Sequence, residues 1–393
     1  LAVSTHPSPA APPRTWLILA EKGGDNAQVL ALGDALPWSC ETRQVYMREE
    51  WLFGKPRVGA HLDHLDLARC DPLEPPWPDL VITMGRRTAM VAFWLQERSG
   101  GKTRIVLLGK PSGWMERFDL VIGSAEIQLP PLDNVLRIGL PLLRADPKRV
   151  AAAAESWRPR LAALPRPLVG LLVGGPTGPF IYDRSTTHEL IGLAAQVRRE
   201  GGTPFVTTSR RTPEAVARTL QEKLPEGSEL YLWKPDAALN PYLGLLGLAD
   251  AFVVTADSVS MAVEVARLGR PLAILALPTG PLGGLDLRRR AFTRWLFQPP
   301  HAGLGGRLRK TLALAAFRSG VLTHTRDFAA LHDWMLARRI AVWAHPGETR
   351  WTKPTQPVGD DLEAAVARVR GLFSPDEVNA PRRVPSANAS TGA

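Results

Sequence analysis

Apolar residues gather in short runs along the chain, each followed by a polar or glycine cluster and then by apolar positions spaced as on one face of a helix. In the first part the runs are TWLILA (15–20), RQVYM (43–47), DLVIT (79–83), RIVLLG (104–109), DLVIG (119–123) and NVLRIG (134–139). Near-continuous apolar strands alternating with helices predict a parallel sheet covered on both faces. That assigns residues 14–145 to one Rossmann-like domain. DPKRVAAAAESWRPRLAALPRP (146–167) reads as a linker helix, after which the alternation restarts with LVGLLVGG (168–175), TPFVTTS (203–209), ELYLW (229–233), AFVVTA (251–256) and PLAILAL (271–277). A second Rossmann-like domain therefore spans 168–345. Helices at 325–339 and 360–372 follow, and 346–373 is expected as a C-terminal helical segment.

Length agrees with this division, since 393 residues exceed one ordinary core. Two α/β domains in one chain are expected to enclose a central cleft, with ligands at the carboxyl ends of the strands. The Pro/Ala/Ser-rich start (1–13) lacks the basic end and apolar centre of a secretory signal and reads as a disordered leader, and 374–393 as a disordered tail. Cys40 and Cys70 form neither a metal spacing nor a disulfide framework, so a cytoplasmic location is expected. No apolar run approaches the ~20 residues of a membrane span.

Candidate chemistry sits at the strand ends. VVTADSVSMAVEVARLG (253–269) passes from a buried strand to an amphipathic helix through Thr255, Asp257, Ser258 and Ser260, which no core requires there. Gly174, Gly175 and Thr177 follow one strand of the same sheet, Ser209, Arg210 and Arg211 another, and Trp233 a third. Glycines let backbone amides approach an anion, and a helix N-terminus adds unpaired N–H groups and partial positive charge. Glu264 lies one turn into the helix, within reach of a ribose diol. Together these predict a site for a nucleotide diphosphate. The competing reading makes Asp257 or Ser258 a plain helix N-cap, Gly174-Gly175 a turn and Glu264 a surface residue.

In the first domain LAEKGGDNAQVLALGDAL (19–36) repeats the arrangement with Glu21, Lys22, Gly23, Gly24, Asp25, Asn26 and Gln28, without a dinucleotide fingerprint. TMGRRTAM (83–90), with Gly85 and Arg86, and LLGKPSGW (107–114) are further polar strand ends. Asp25, expected on a loop facing the cleft, is the candidate general base. Neither HLDHLD (61–66) nor any D-x-D pair signals a metal, so cations of the chain are expected to neutralise the diphosphate.

The chain carries 48 Lys and Arg against 38 Asp and Glu, a net +10 that points to anionic partners. Charge concentrates at 286–318, where eight basic residues (Arg288, Arg289, Arg290, Arg294, Arg307, Arg309, Lys310, Arg318) accompany one acid and the aromatic Phe292, Trp295 and Phe297. The pattern suits an anionic membrane surface or a solvated helix face.

KGGDNAQVLALGDAL, Gly174-Gly175, TTSRRTP (207–213) and above all VTADSVSMAVEVARLGRPLAIL (254–275) resemble the Elm-type mitochondrial fission family, whose bacterial members are related to GT-B glycosyltransferases. The resemblance covers most of 15–345. It implies a GT-B-like α/β fold and a metal-independent glycosyltransferase that uses a UDP-type or GDP-type nucleotide sugar, with no separate cofactor. The acceptor would be a lipid or saccharide of the cell envelope, met from the cytoplasm, peripherally at the inner membrane, and nucleic acid is not an expected partner. Similarity to the transferase that makes lipid II is more distant. By that likeness Gly23, Gly24, Asp25 and Asn26 face acceptor, and Ser209, Arg210, Ser258, Met261 and Glu264 face donor. Many relatives carry GHENQ where this chain has GDNAQ, so Asp25 takes the place of the histidine base. Nucleotide-sugar epimerisation and a non-enzymatic membrane adaptor of the fission type are the rival functions.

Overall fold

The computed structural model describes residues 11–21, 23–51, 56–111, 114–143, 145–235, 240–281, 283–298, 303–318, 322, 326–351, 358–359 and 361–374. Lys22, residues 1–10 of the expected leader and 375–393 of the expected tail lie outside them. The described residues divide into two compact units, one drawn from 1–123, 132–137 and 361–393, the other from 124–131 and 138–360.

In the first unit β1 (Thr15–Leu19) leads into α1 (Gly23–Asp34), followed by β2 (Cys40–Gln44), β3 (Leu80–Met84), α2 (Arg86–Arg98), β4 (Arg104–Leu108), β5 (Leu120–Gly123) and β6 (Val135–Arg137). All neighbouring strands are parallel, in the order β2-β1-β3-β4-β5-β6. β2 lies on one side of β1, and the chain then crosses back to place β3 on the other side, so the direction of winding switches between β1 and β3. Strand β1 is buried along its whole length and β2 at the edge is half exposed, which is why apolar content marks the first sharply and the second weakly.

The second unit begins with α3 (Pro147–Leu161), in the segment read as a linker helix. Asp146 starts it, its side chain accepting hydrogen bonds from the Lys148 and Arg149 amides, and Pro147 occupies the first turn, where its missing N–H costs nothing. Then come β7 (Leu168–Val173), α4 (Arg184–Arg199), β8 (Thr203–Thr208), α5 (Glu214–Lys223), β9 (Glu229–Tyr231), α6 (Tyr242–Leu248), β10 (Ala251–Thr255), α7 (Val259–Arg267) and β11 (Leu272–Leu275). Helices α8 (Gly283–Phe297), α9 (Leu304–Arg318) and α10 (Phe328–Ala337) precede β12 (Val342–Trp343). The strands, again all parallel, run β12-β11-β10-β7-β8-β9, the doubly wound order in which winding reverses between β7 and β10. Val169, Leu171 and Val173 of β7, Val253 of β10 and Leu190, Leu193 and Val197 of α4 form the core beneath that point.

Both sheets are those expected of a GT-B-like chain. The last helix, α11 (Asp361–Gly371), belongs to the first unit rather than standing apart as a terminal segment. Just beyond it the Phe373 ring meets Trp38 edge-on at 6.1 Å, and the Arg104 guanidinium lies 5.2 Å from its centre. Buried Ala365 and Val369, the Arg368 hydrogen bond to the Asp133 carbonyl and this aromatic anchor together bind the short helix to the first unit.

Candidate functional site

In the second unit the polar strand ends converge at the switch point, as a fully parallel sheet requires. β7 delivers Gly174, Gly175 and Thr177, its neighbour β8 delivers Ser209, Arg210 and Arg211, its neighbour β10 delivers Thr255, Asp257 and Ser258, and Trp233 follows the edge strand β9. Thr255, Asp257 and Ser258 are buried although polar, so hydrogen bonds must repay their desolvation.

Asp257 is the hub. Its Oδ2 accepts the Gly175 amide at 2.9 Å, its Oδ1 accepts the Tyr182 hydroxyl at 2.6 Å, and the Arg211 guanidinium stands 3.8 Å from Oδ2. Thr255 Oγ1 accepts the Gly174 amide at 2.8 Å and lies 2.9 Å from the Tyr182 hydroxyl, whose one proton goes to Asp257. On the other flank Thr212 Oγ1 donates to the Gly174 carbonyl at 2.6 Å and accepts the Ser209 amide at 2.8 Å, while Arg211 Nη1 donates to Thr177 Oγ1. Burial raises the Asp257 carboxyl above its usual range, against the downward pull of Tyr182, the Gly175 amide, Thr255 and Arg211. Burial first and the Asp257 charge second push the Tyr182 hydroxyl upward, keeping it a proton donor.

This network corrects the expectation that Gly174 and Gly175 present amides to an anion, because both N–H groups are already spent on the β10 side chains. The absence of a side chain is needed here for another reason. A Cβ on Gly174 would strike the Asp257 carboxylate, and one on Gly175 the Arg211 backbone carbonyl. The glycines let β7, β8 and β10 close on one another.

Backbone donors without a partner lie instead at the start of α7. Ser258 is its N-cap residue, yet its side chain makes no capping hydrogen bond, and the Val259, Ser260 and Met261 amides donate to no acceptor among the described residues. Three unpaired N–H groups and the positive end of the helix dipole therefore stand at the switch point. Arg210 is exposed and has no ion-pair or hydrogen-bond partner among the described residues, and Ser260 is exposed in the first turn of α7. Glu264 is half-buried. Its Oε2 accepts the Tyr242 hydroxyl, its other oxygen takes no hydrogen bond from the described residues, and burial raises its carboxyl above the usual range.

Tyr182, Tyr242 and His332 carry no signal in the sequence pattern, whereas Thr212 stands within TTSRRTP (207–213) among the polar residues that follow a strand. Tyrosine is scarce here, four in 393 residues, and two of the four hold the two carboxylates at this site, which is the signal that was available. His332 of α10 is buried, hydrogen-bonds to the Ala256 backbone beside Asp257, and is held down to about 4, chiefly by burial.

In the first unit Gly23, Gly24, Asp25, Asn26 and Gln28 all lie within α1, so Asp25 occupies the first helical turn and not a loop. Asn26 closes the turn out of β1 by itself: Oδ1 accepts the Ala20 amide at 3.0 Å and Nδ2 donates to the Ala20 carbonyl at 2.6 Å. Gly85 caps α2 at φ 103°, a backbone region that favours glycine, and Arg86 donates to the Pro56 carbonyl at 3.1 Å. Both turns sit at the β1/β3 switch point. Among the described residues no three His, Cys, Asp or Glu side chains converge as metal ligands.

The basic segment keeps fewer free cations than its sequence suggests. Asp286 binds Arg289 and Arg290 at 2.8 and 2.6 Å, Arg294 pairs with Asp327 at 3.4 Å and Asp333 at 2.7 Å, and Arg309 is buried. Residues 299–302 of that segment lie outside the described residues. No described helix is long and apolar enough to cross a membrane.

Comparison with known proteins gives the following. A family model described as Mitochondrial fission ELM1 matches residues 23–293. The Mitochondrial fission protein ELM1 of Arabidopsis thaliana is 30% identical over 224 residues, 51% of this chain and 52% of that protein. The match thus spans about half the length of the plant relative. An uncharacterized protein of Rickettsia prowazekii is 24% identical over 301 residues, 67% of this chain and 83% of its own. Among solved structures, the UDP-GlcNAc 2-epimerase from Methanocaldococcus jannaschii is similar at 11% identity and a TM-score of 0.43, covering 91% of this chain and 99% of that one.

Proposed function

The chain belongs to the Mitochondrial fission ELM1 family, and we propose that it transfers a sugar from a nucleotide diphosphate donor, held at the switch point of its second unit, to a lipid or saccharide acceptor of the cell envelope. The observation that carries this reading is the uncapped start of α7, three unpaired amides at the reversal between β7 and β10, with the unpartnered Arg210 at a neighbouring strand end and the half-buried Glu264 within α7 itself. Ligands of doubly wound sheets bind at such reversals, and helix N-termini favour phosphate.

In this reading the diphosphate accepts hydrogen bonds from the Val259, Ser260 and Met261 amides and from the Ser258 and Ser260 hydroxyls. Arg210 and Arg211 balance the negative charge that grows on the departing diphosphate as the glycosidic bond breaks. The free oxygen of Glu264 accepts hydrogen bonds from the ribose hydroxyls, while Tyr242 fixes the carboxylate. Met261 and Trp233 contribute apolar surface to the nucleoside. Gly174, Gly175 and Thr177 shape the floor through the Asp257 network, and Thr255 and Asp257 serve the fold of the site rather than the ligand. Gly23, Gly24, Asn26, Gln28, Gly85 and Arg86 form the acceptor side, where Asp25 removes the proton from the attacking hydroxyl.

The test is to offer UDP- and GDP-sugars with and without envelope lipid or oligosaccharide and to follow nucleoside diphosphate release and the sugar's identity by mass spectrometry. Release that depends on acceptor supports transfer. A sugar isomerised on its nucleotide without acceptor would make the protein an epimerase, and neither outcome would leave it an adaptor. With chelator present, transfer is expected to continue, because arginines and amides supply the counter-charge.

A further inference from the structure

Helices α8 and α9 pack face to face through Leu296, Phe297, Ala313 and Phe317, with the Phe297 and Phe317 rings 6.3 Å apart. Both helices also carry large apolar side chains that stay exposed among the described residues. Leu304, Leu308 and Leu312, spaced one turn apart along α9, are 85%, 62% and 54% exposed. On α8 Leu285, Phe292 and Trp295 are 65%, 53% and 51% exposed. Leu304, Leu308 and Leu312 form a stripe along one side of α9, and Phe292 and Trp295 form an aromatic pair on α8 that Arg309 ties to α9, an apolar surface beyond single scattered hydrophobics.

The charge around this patch identifies its occupant. After the internal pairs of Arg289, Arg290 and Arg294 are set aside, Arg288, Arg307 and Lys310 remain without an ion-pair partner among the described residues. The one acid of 286–318, Asp286, is occupied by Arg289 and Arg290. Phe292 and Trp295 lie with ring centres 5.8 Å apart, and the Arg309 guanidinium sits 5.8 Å from the Trp295 ring, so the aromatic pair links the two helices. Leucines flanked by a tryptophan and unpaired cations match a bilayer interface, where acyl chains take the leucines, the headgroup level takes the indole and anionic headgroups take the cations. A second copy of the chain would bring cations against cations, and a nucleic acid has no use for a row of leucines.

We infer that the α8–α9 hairpin is a docking surface for anionic lipid bilayers, an interaction independent of the sugar-transfer reading. The hairpin lies in the interface with its leucine face toward the acyl chains, and the protein is held there peripherally.

The experiment is co-sedimentation of the full-length chain with phosphatidylcholine vesicles containing 30% phosphatidylglycerol and with pure phosphatidylcholine vesicles, at ~20 and ~300 mM salt. We expect binding to the anionic vesicles at low salt, with weak binding to the neutral ones. Changing Leu304, Leu308 and Leu312 together to Ser should abolish it, and R288E with R307E should weaken it at least about twentyfold, since each basic residue near an anionic surface contributes roughly fivefold. Leu304→Ser alone, at the most exposed position, gives a partial loss in a variant whose fold is not at risk. Thermal melts and nucleoside diphosphate binding unchanged in these variants separate loss of docking from loss of fold or of the donor site. The proposal is overturned if the native chain does not bind anionic vesicles, if the leucine variants bind as well as the native chain, or if ultracentrifugation shows a dimer that the leucine changes dissociate. Binding to RNA in place of vesicles would likewise overturn it.

Discussion

The turn from β1 into α1 is closed by Asn26, six positions from its partner Ala20, whereas the turn from β10 into α7 is tied by Thr255 and Asp257 to residues 73 to 82 positions away. Both turns begin as a buried strand, pass through small polar residues and enter a helix at the switch point of a parallel sheet. In the first, the polar side chain finishes its work within its own turn. In the second, the polar side chains lock three neighbouring strands. A strongly charged ligand is best held by a rigid frame, and the long-range ties of the second turn supply one.

The largest effect separating the two regions is on stability. Asp257→Ala removes a buried carboxylate that serves the Gly175 amide, the Tyr182 hydroxyl and Arg211 at once, and should cost about 3–5 kcal/mol, the range for breaking a buried charged network. Urea denaturation measures it, and a loss under about 1 kcal/mol would mean that the network does not bind the strands together.

Acid sharpens the same contrast. His332, which supports the β10 end through the Ala256 backbone, is held neutral by burial at about 4, below the 6.5 of a free histidine. Because the unfolded chain takes up the proton first, this contribution is whole above about pH 6.5 and is lost as pH falls toward 4, an effect of about 3 kcal/mol at most. Melting temperature followed from pH 7 to 4 in the native chain and in His332→Phe should show the steeper decline in the native chain. Parallel curves would remove His332 from the account.

The smallest stability effect belongs to the first turn. Asn26→Ala should cost about 1–2 kcal/mol, the cost of a local pair of hydrogen bonds. Equal losses for Asn26→Ala and Asp257→Ala in the same denaturation series would erase the difference between the turns.

How much of this the sequence revealed follows the same division between local and distant. Central strands such as β7, β8 and β10, buried from end to end, stand out as apolar runs and were placed within a residue or two. The exposed edge strand β2 spans Cys40–Gln44 against the expected 43–47, because CETRQ carries no apolar pattern, and the two-residue β12 is too short to stand out as a run. The polar residues after each strand were visible, since such residues have no place in a core. Their duties were not, because Asp257 reaches Gly175 and Tyr182 only once the sheet has assembled. The same holds for Asp25, read as a loop residue although Gly23 and Gly24, poor helix formers, are already within α1. At α8 and α9 the excess of arginine was legible while its internal pairing was not, and the exposure of the leucines emerged only from the packed hairpin.

The central claim is that the second switch point, and not the first, holds a nucleotide diphosphate. Titration calorimetry of UDP, GDP and ADP into the native chain, Arg210→Ala, Glu264→Ala and Asn26→Ala tests it directly. We predict that at least one diphosphate binds the native chain, that Arg210→Ala and Glu264→Ala each weaken it about tenfold, a change of ~1.4 kcal/mol, and that Asn26→Ala leaves it unaltered. Binding of none of the three, or binding lost in Asn26→Ala and kept in Arg210→Ala and Glu264→Ala, would contradict the account.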